Sequence, residues 1–387
     1  MAKKSTSKLK TCTVGPHKNC VELTSGNMRL AITTEVGPRI IGCYIGEKSK
    51  TNQFAVLPAK ATHDNGFILY GGHRLWHAPE EYPTSYEPDN KPVLVTETES
   101  GVEFSIPADP LTKISRSILV EPLCGGFFMV THTLTNCGIW PVEIAPWALS
   151  MMAPGGTAII PQGTNKEGYP FYPDRQLNYW AYTSMRDSRI ELGDEYIFFK
   201  NDPKANTSAK IGYNDCQGWI AYVNNGVALV KYFDVNEDGE YPDNGCSVES
   251  YTCSKFHEIE TLGALETLEP GESVQHVEYW QGIDGLPEIK SDEDVEKYLM
   301  PLLLPADTGC CCEDDDCGCD EDDFLYEDEC GCGHCHCEDG ECDCGDDCHC
   351  HCHCEEEEAV KEAPAKKSGK SASKKKSGCK SKAKSKK

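Results

Sequence analysis

Between residues 18 and 285 the chain almost never sustains one hydrophobic period long enough to make a helix. Short β-branched and aromatic runs, at 29–34, 93–97, 102–106, 127–135, 197–200, 219–223, 227–233, 247–252 and 274–280, are broken instead by Gly, Pro, Asn and Asp. That pattern restricts the fold to an antiparallel all-β sandwich or barrel, a class that often uses well over 200 residues as one domain. Asn224-Asn225-Gly226, between two of the runs, is a hairpin signal. A single helix is expected over 292–304. Ser291 can cap it, Asp292, Glu293 and Asp294 suit its positive end, and Pro301 and Pro305 end or kink it.

The densest chemistry lies in Gly71-Gly72-His73-Arg74-Leu75-Trp76-His77-Ala78-Pro79-Glu80-Glu81. The glycine pair and Pro79 predict a loop, and loops on a rigid scaffold commonly carry binding groups. His73 and His77 are four apart, which on a helix would suggest a zinc pair. In a loop, contact with a ligand or structural hydrogen bonding fits them as well. His132, in an alternating run, reads as a core histidine. In Phe256-His257-Glu258-Ile259-Glu260, the carboxylates of Glu258 and Glu260 share one face, toward solvent or a cleft.

Charge is uneven. The net charge of -26 disfavours general nucleic-acid binding. Residues 310–358 are acidic with no Lys or Arg, whereas 359–387 hold 12 Lys. That lysine-rich end could bind nucleic acid or another polyanion, fold back on the acidic segment, or stay solvated. No signal peptide and no run of 18 apolar residues is visible, so the expectation is a cytoplasmic protein with free thiols and no membrane partner. The expected organisation is a flexible 1–17, a β domain at 18–305, a Cys/His/acidic low-complexity tail at 306–358 and a disordered Lys/Ser/Ala-rich end at 359–387.

The first tail is a candidate metal segment. Its thiols are Cys310, Cys311, Cys312, Cys317, Cys319, Cys330, Cys332, Cys335, Cys337, Cys342, Cys344, Cys348, Cys350, Cys352 and Cys354, and its imidazoles His334, His336, His349, His351 and His353. Thiolate and imidazole suit Zn(II) and Cu(I), and the repeated Cys-x-Cys resembles metallothionein, although Asp and Glu stand where metallothioneins intersperse Lys.

Several motifs taken together resemble the galactose mutarotase-like (aldose 1-epimerase) superfamily, in an uncharacterised bacterial branch. They are Gly37-Pro38-Arg39-Ile40-Ile41, the 71–80 stretch, His132-Thr133-Leu134-Thr135-Asn136 running on to Ala145-Pro146-Trp147-Ala148-Leu149, Tyr241-Pro242-Asp243 leading to Ser247-Val248-Glu249, and Pro270-Gly271-Glu272. The match spans residues 18–282. It implies a large antiparallel β-supersandwich with an open sugar cleft, no cofactor in the β domain, and anomer interconversion by a glutamate base and a histidine acid. Glu249 matches the catalytic glutamate and Arg74 a substrate-binding arginine. The histidine position reads Ala145-Pro146-Trp147, and an indole cannot protonate a ring oxygen. His73 or His77 is therefore the expected acid.

Trp76, Glu80, Trp147 and Lys231 are further candidates for substrate binding; Trp180 and Trp280 could stack on a sugar or pack in the core. Glu249 and Lys231 could equally form a structural ion pair. Three functions follow as expectations: a sugar-binding protein with aldose 1-epimerase activity as its catalytic form, a non-catalytic sugar-sensing or scaffold module, or a metal-sequestering protein with a β-domain carrier.

Overall fold

The computed structural model describes residues 9–163, 173–215, 217–236 and 238–303. All of the tail ligands and both tail segments, from 306 onward, lie outside the described residues. Within them the chain forms two antiparallel sheets, one of eleven strands and one of ten. The antiparallel all-β sandwich that the short runs allow, and that the resemblance implies in its large form, is the observed architecture, and each of the nine runs falls on a strand.

In the first sheet Gly72–Ala78, Val142–Met152, Phe256–Leu262, Val248–Cys253 and Ala209–Tyr213 lie side by side in that order. In the second, Trp219–Asn224, Val227–Phe233, Ser273–Ile283, Phe127–Asn136 and Ile114–Pro122 do the same. The core between the sheets includes Leu75, Phe104, Phe128, Ile211, Ile259 and Trp280, all buried. Each such side chain contributes roughly 1.5–3 kcal/mol by leaving water. Asn225 and Gly226, with φ of 53° and 76°, make the two-residue turn that joins Trp219–Asn224 to Val227–Phe233.

Three expectations change. The stretch 71–81 is a loop only from Pro79 onward: Gly72–Ala78 is a central strand paired with Arg39–Ile45 and Val142–Met152. Its glycines serve close approach at the strand's entry, since a Cβ on Gly71 would lie 2.0 Å from the Ala55 carbonyl oxygen and one on Gly72 2.3 Å from that of Ile40. The N-terminal segment also enters the fold earlier than residue 18, because Thr11–Val14 pairs with His17–Ser25. The helical stretch is broken into Asp292–Asp294, Val295–Leu299 and Met300–Leu302, with the Ser291 hydroxyl accepting from the Asp294 amide. Among the described residues no helix is long and apolar enough to cross a membrane.

Candidate functional site

Because strand side chains alternate between faces, each strand of the first sheet sends one set of residues into the core and the other onto the outer face. Register then decides who meets whom. Leu149 is paired with Arg74 on one side and Glu260 on the other, and Glu260 is paired with Glu249 in turn. Trp147 faces Trp76 in the same way. The outer face therefore collects Arg74, Trp76, Trp147, Glu258, Glu260 and Lys210 on one floor.

Over that floor lies a cleft of about 700 Å³. Its walls are aromatic: Phe67, Trp76, Tyr86, Trp147, Trp180, Tyr182, Tyr251 and Phe256, with His63 and Glu80 also lining it. Trp76 and Trp147 meet edge to face, 5.5 Å between centroids.

Two cations are built into the floor. Arg74 donates to Glu258 Oε1 at 3.0 Å and lies 4.3 Å from the Trp76 ring centroid. Lys210 Nζ donates to Glu260 Oε2 at 3.1 Å and lies 2.5 Å from Glu249 Oε2, the latter an ion contact outside hydrogen-bond alignment. The same ammonium is 4.5 Å from the Trp147 ring and 4.6 Å from Trp180. Trp147 Nε1 donates to Glu260 Oε2 at 2.9 Å. Glu260 Oε1 and Arg74 Nε are buried without a hydrogen-bond partner.

Three buried carboxylates, Glu249, Glu258 and Glu260, thus share two cations. Burial pushes the Glu249 carboxyl well above its usual range, Lys210 pulls it back, and the neighbouring Glu260 raises it further. For Lys210, burial opposes its charge, but Glu249 and Glu260 more than offset this and hold the ammonium well above its ordinary range. Glu249 is the one of the three that does not line the cleft.

Of the residues singled out in the sequence, Arg74, Trp76, Glu80 and Trp147 meet in the cleft. Glu249 is fully buried one step away, reached through Lys210. His73, His77, Lys231 and Trp280 are not there. His73 and His77 share Leu75's face of the strand and point away from the cleft, and both are buried. Lys231 belongs to the second sheet, where its ammonium sits 2.5 Å from Glu278 Oε1 and donates to the Ala148 carbonyl at 3.2 Å. It cannot partner Glu249, and the ion pair expected between them is made by Lys210 instead. Trp280 is a core residue that donates to Glu278 Oε2 at 2.7 Å.

His73, His132 and Glu278 come close enough to suggest a buried metal site, but their hydrogen bonds close it. His132 Nδ1 lies 2.9 Å from the His276 carbonyl and must donate, so its Nε2 accepts from His73 Nε2 at 2.7 Å, and His73 Nδ1 accepts from the Ser150 hydroxyl at 2.8 Å. Burial first, then neighbouring cationic groups, keep the His73 imidazole neutral, and burial takes His132 down to about 3. With every ring nitrogen engaged and Lys231 on the carboxylate, the cluster is a structural polar network.

Lys210 was not marked by the sequence, because Ala209–Tyr213 is a short run interrupted by Gly212. The signal that could have found it is the alternation of Lys210 and Gly212 against Ala209, Ile211 and Tyr213.

No protein-family model matches the chain, and no curated protein matches it. Similar solved structures include a galactose mutarotase-like protein from Lactobacillus casei, 10% identical, covering 68% of this chain and 100% of that one with a TM-score of 0.43. A galactose mutarotase-like protein from Clostridium acetobutylicum is 12% identical, covering 72% and 98%, with a TM-score of 0.43. A TPR-domain containing protein from Parabacteroides distasonis is 14% identical, covering 70% and 48%, with a TM-score of 0.48. At this distance the site residues themselves must carry any functional reading.

Proposed function

We propose that the cleft binds a carbohydrate. A pyranose offers an apolar C–H face ringed by hydroxyls, and a matching site needs flat aromatic walls beside a few fixed donors and acceptors. The observation that carries this reading is the aromatic cleft whose floor alternates Arg74, Glu258, Glu260 and Lys210. Calorimetric titration of the full chain with glucose, galactose and their derivatives, followed in parallel by tryptophan fluorescence, tests it. No heat and no spectral change with any sugar would remove the reading.

A catalytic form, interconversion of aldose anomers, is favoured by one observation: Glu260 presents an unpartnered oxygen beside a cleft that also includes His63. Such a reaction needs a base at the anomeric hydroxyl and an acid at the ring oxygen. We assign the base to Glu260, which lines the cleft, and the acid to His63. Glu249 then acts as a positioning residue that holds Lys210. Polarimetry on freshly dissolved glucose and galactose decides between catalysis and binding alone: acceleration that Glu260→Gln abolishes supports catalysis, and no acceleration leaves a sugar-binding module. The tail remains a proposal on its ligand chemistry alone, as a carrier of Zn(II) or Cu(I).

A further inference from the structure

We propose that the cleft selects a sugar bearing a protonated amine over one bearing a carboxylate or phosphate. This rests on the carbohydrate reading and adds the charge class of the ligand.

The lining charges are unequal. Glu80, Glu258 and Glu260 face the cleft against Arg74 and Lys210, and each cation is already paired with a carboxylate, with Nε of Arg74 left over. Arg74 is held by Glu258 and stacked on Trp76. Lys210 is held by Glu260 and Glu249 between two indole rings. An anionic sugar would have to take one of these cations from its carboxylate, leaving a buried charge uncompensated. An ammonium meets the opposite situation. Glu260, 1% exposed, keeps Oε1 without a partner, and Glu80 lies at the exposed rim. The aromatic walls already stabilise one ammonium, that of Lys210, and another cation would gain from the same rings.

At the two wall phenols burial is the largest influence and the charges of the floor oppose one another. Burial holds the Tyr182 phenol above its ordinary range, with Lys210 opposing and Glu260 adding to the rise. Tyr86 is raised by burial and then by its hydrogen bond to Glu80. At longer range the chain's net charge of -26 attracts cationic and repels anionic solutes.

The test is calorimetric titration of the full-length chain at pH about 6.5 and low salt with glucosamine, glucose, glucuronate and glucose 6-phosphate. Glucosamine should bind about tenfold more tightly than glucose, and glucuronate and the phosphate about tenfold more weakly. Raising the salt should narrow the gap between glucosamine and glucose, and so should raising the pH to about 9, where the amine loses its charge. Glu80→Gln, at an exposed position that spares the fold, should shrink the preference about threefold. Equal binding of glucosamine and glucose, or tighter binding of either anionic sugar, overturns the inference while the carbohydrate reading stands. If none of the four binds, both fall.

Discussion

His73 and Arg74 are neighbours in the chain and serve opposite faces of one sheet. The His73 imidazole is hydrogen-bonded to Ser150 and His132 in the core, while the Arg74 guanidinium pairs with Glu258 on the cleft floor. Their substitutions should therefore separate stability from recognition. Arg74→Ala should weaken sugar binding at least about tenfold, because a charge-assisted group contributes roughly 1.5–3 kcal/mol. His73→Ala should instead lower unfolding stability by about 2–3 kcal/mol, by orphaning His132 and Ser150, with affinity changed less than twofold. Denaturant unfolding and calorimetry on both variants check the split. Loss of affinity in His73→Ala at unchanged stability would contradict it.

Stability should pass through a maximum near pH 6.5. Burial lowers His77 to about 4, and His132, His257 and His276 to about 3. These imidazoles stay neutral in the fold but protonate freely when unfolded, so they cost stability as the pH falls below about 6.5, on the order of 2 kcal/mol each by pH 5. Buried carboxyls act in the other direction. Burial and then Asp109 raise Glu87 to about 8, and burial raises Asp215 to about 7. Their unfolded forms are ionised above about 4, so stability falls as the pH rises until the folded groups also ionise. Below 6.5 the more numerous imidazoles dominate, and above it only the carboxyls act. Scanning calorimetry from pH 5 to 8.5 should give a Tm that drops by several degrees on either side; a flat or monotonic profile contradicts the assignment.

The sequence carried the strand pattern well, because period-two alternation and turn residues are local signals. It also pointed to Arg74, Trp76, Glu80 and Trp147, which share one cleft. It lost the histidines because the glycine pair reads locally as a loop; in fact Gly71 and Gly72 make room for the backbones of Ala55 and Ile40, contacts far away in the chain. Once 72–78 is a strand, parity alone separates His73, Leu75 and His77 from Arg74 and Trp76. Lys231 shows a different limit. Its strand was legible, but which sheet that strand joins depends on long-range pairing that no local pattern encodes. The same pairing brings Lys210 to Glu249 across adjacent strands.

Trp180 offers the cleanest test of the aromatic wall. It is half-buried, lines the cleft and stacks on the Lys210 ammonium. Trp180→Ala should weaken sugar binding about tenfold and lower stability by no more than about 1–2 kcal/mol, since it is not a core residue. Fluorescence titration and thermal unfolding measure the two effects. Unchanged affinity would place the ligand elsewhere in the cleft or outside it.

Lys231 and Glu278 form an ion pair sealed between the sheets, with Thr261 and Trp280 also donating to the carboxylate. Lys231→Met leaves that carboxylate buried without its cation and should cost about 3–5 kcal/mol. Removing both charges, as Lys231→Met with Glu278→Gln, should recover at least about 1 kcal/mol of the loss. Unfolding curves for the two single variants and the double variant give the coupling directly. A double variant no more stable than Lys231→Met would show that the pair is not what holds this region.

Metal uptake should reside in the tail rather than the β domain. Thiols bind metal as thiolates, and in the domain burial pushes Cys20 and Cys246 up to about 12 and raises Cys12 and Cys43 as well. Among the described residues, the close His/carboxylate group of His73, His132 and Glu278 is filled by its own protons and by Lys231. By contrast, the 15 cysteines and five histidines between 310 and 354 are spaced one to five residues apart, except for a step of eleven from Cys319 to Cys330. With four ligands per ion they could hold about five ions. Native mass spectrometry of the full chain with Zn(II) or Cu(I) should show several bound ions, whereas a chain shortened to end at Asp307 should show none. Equal uptake by the two chains would move metal binding into the β domain and leave the tail's cysteines unexplained.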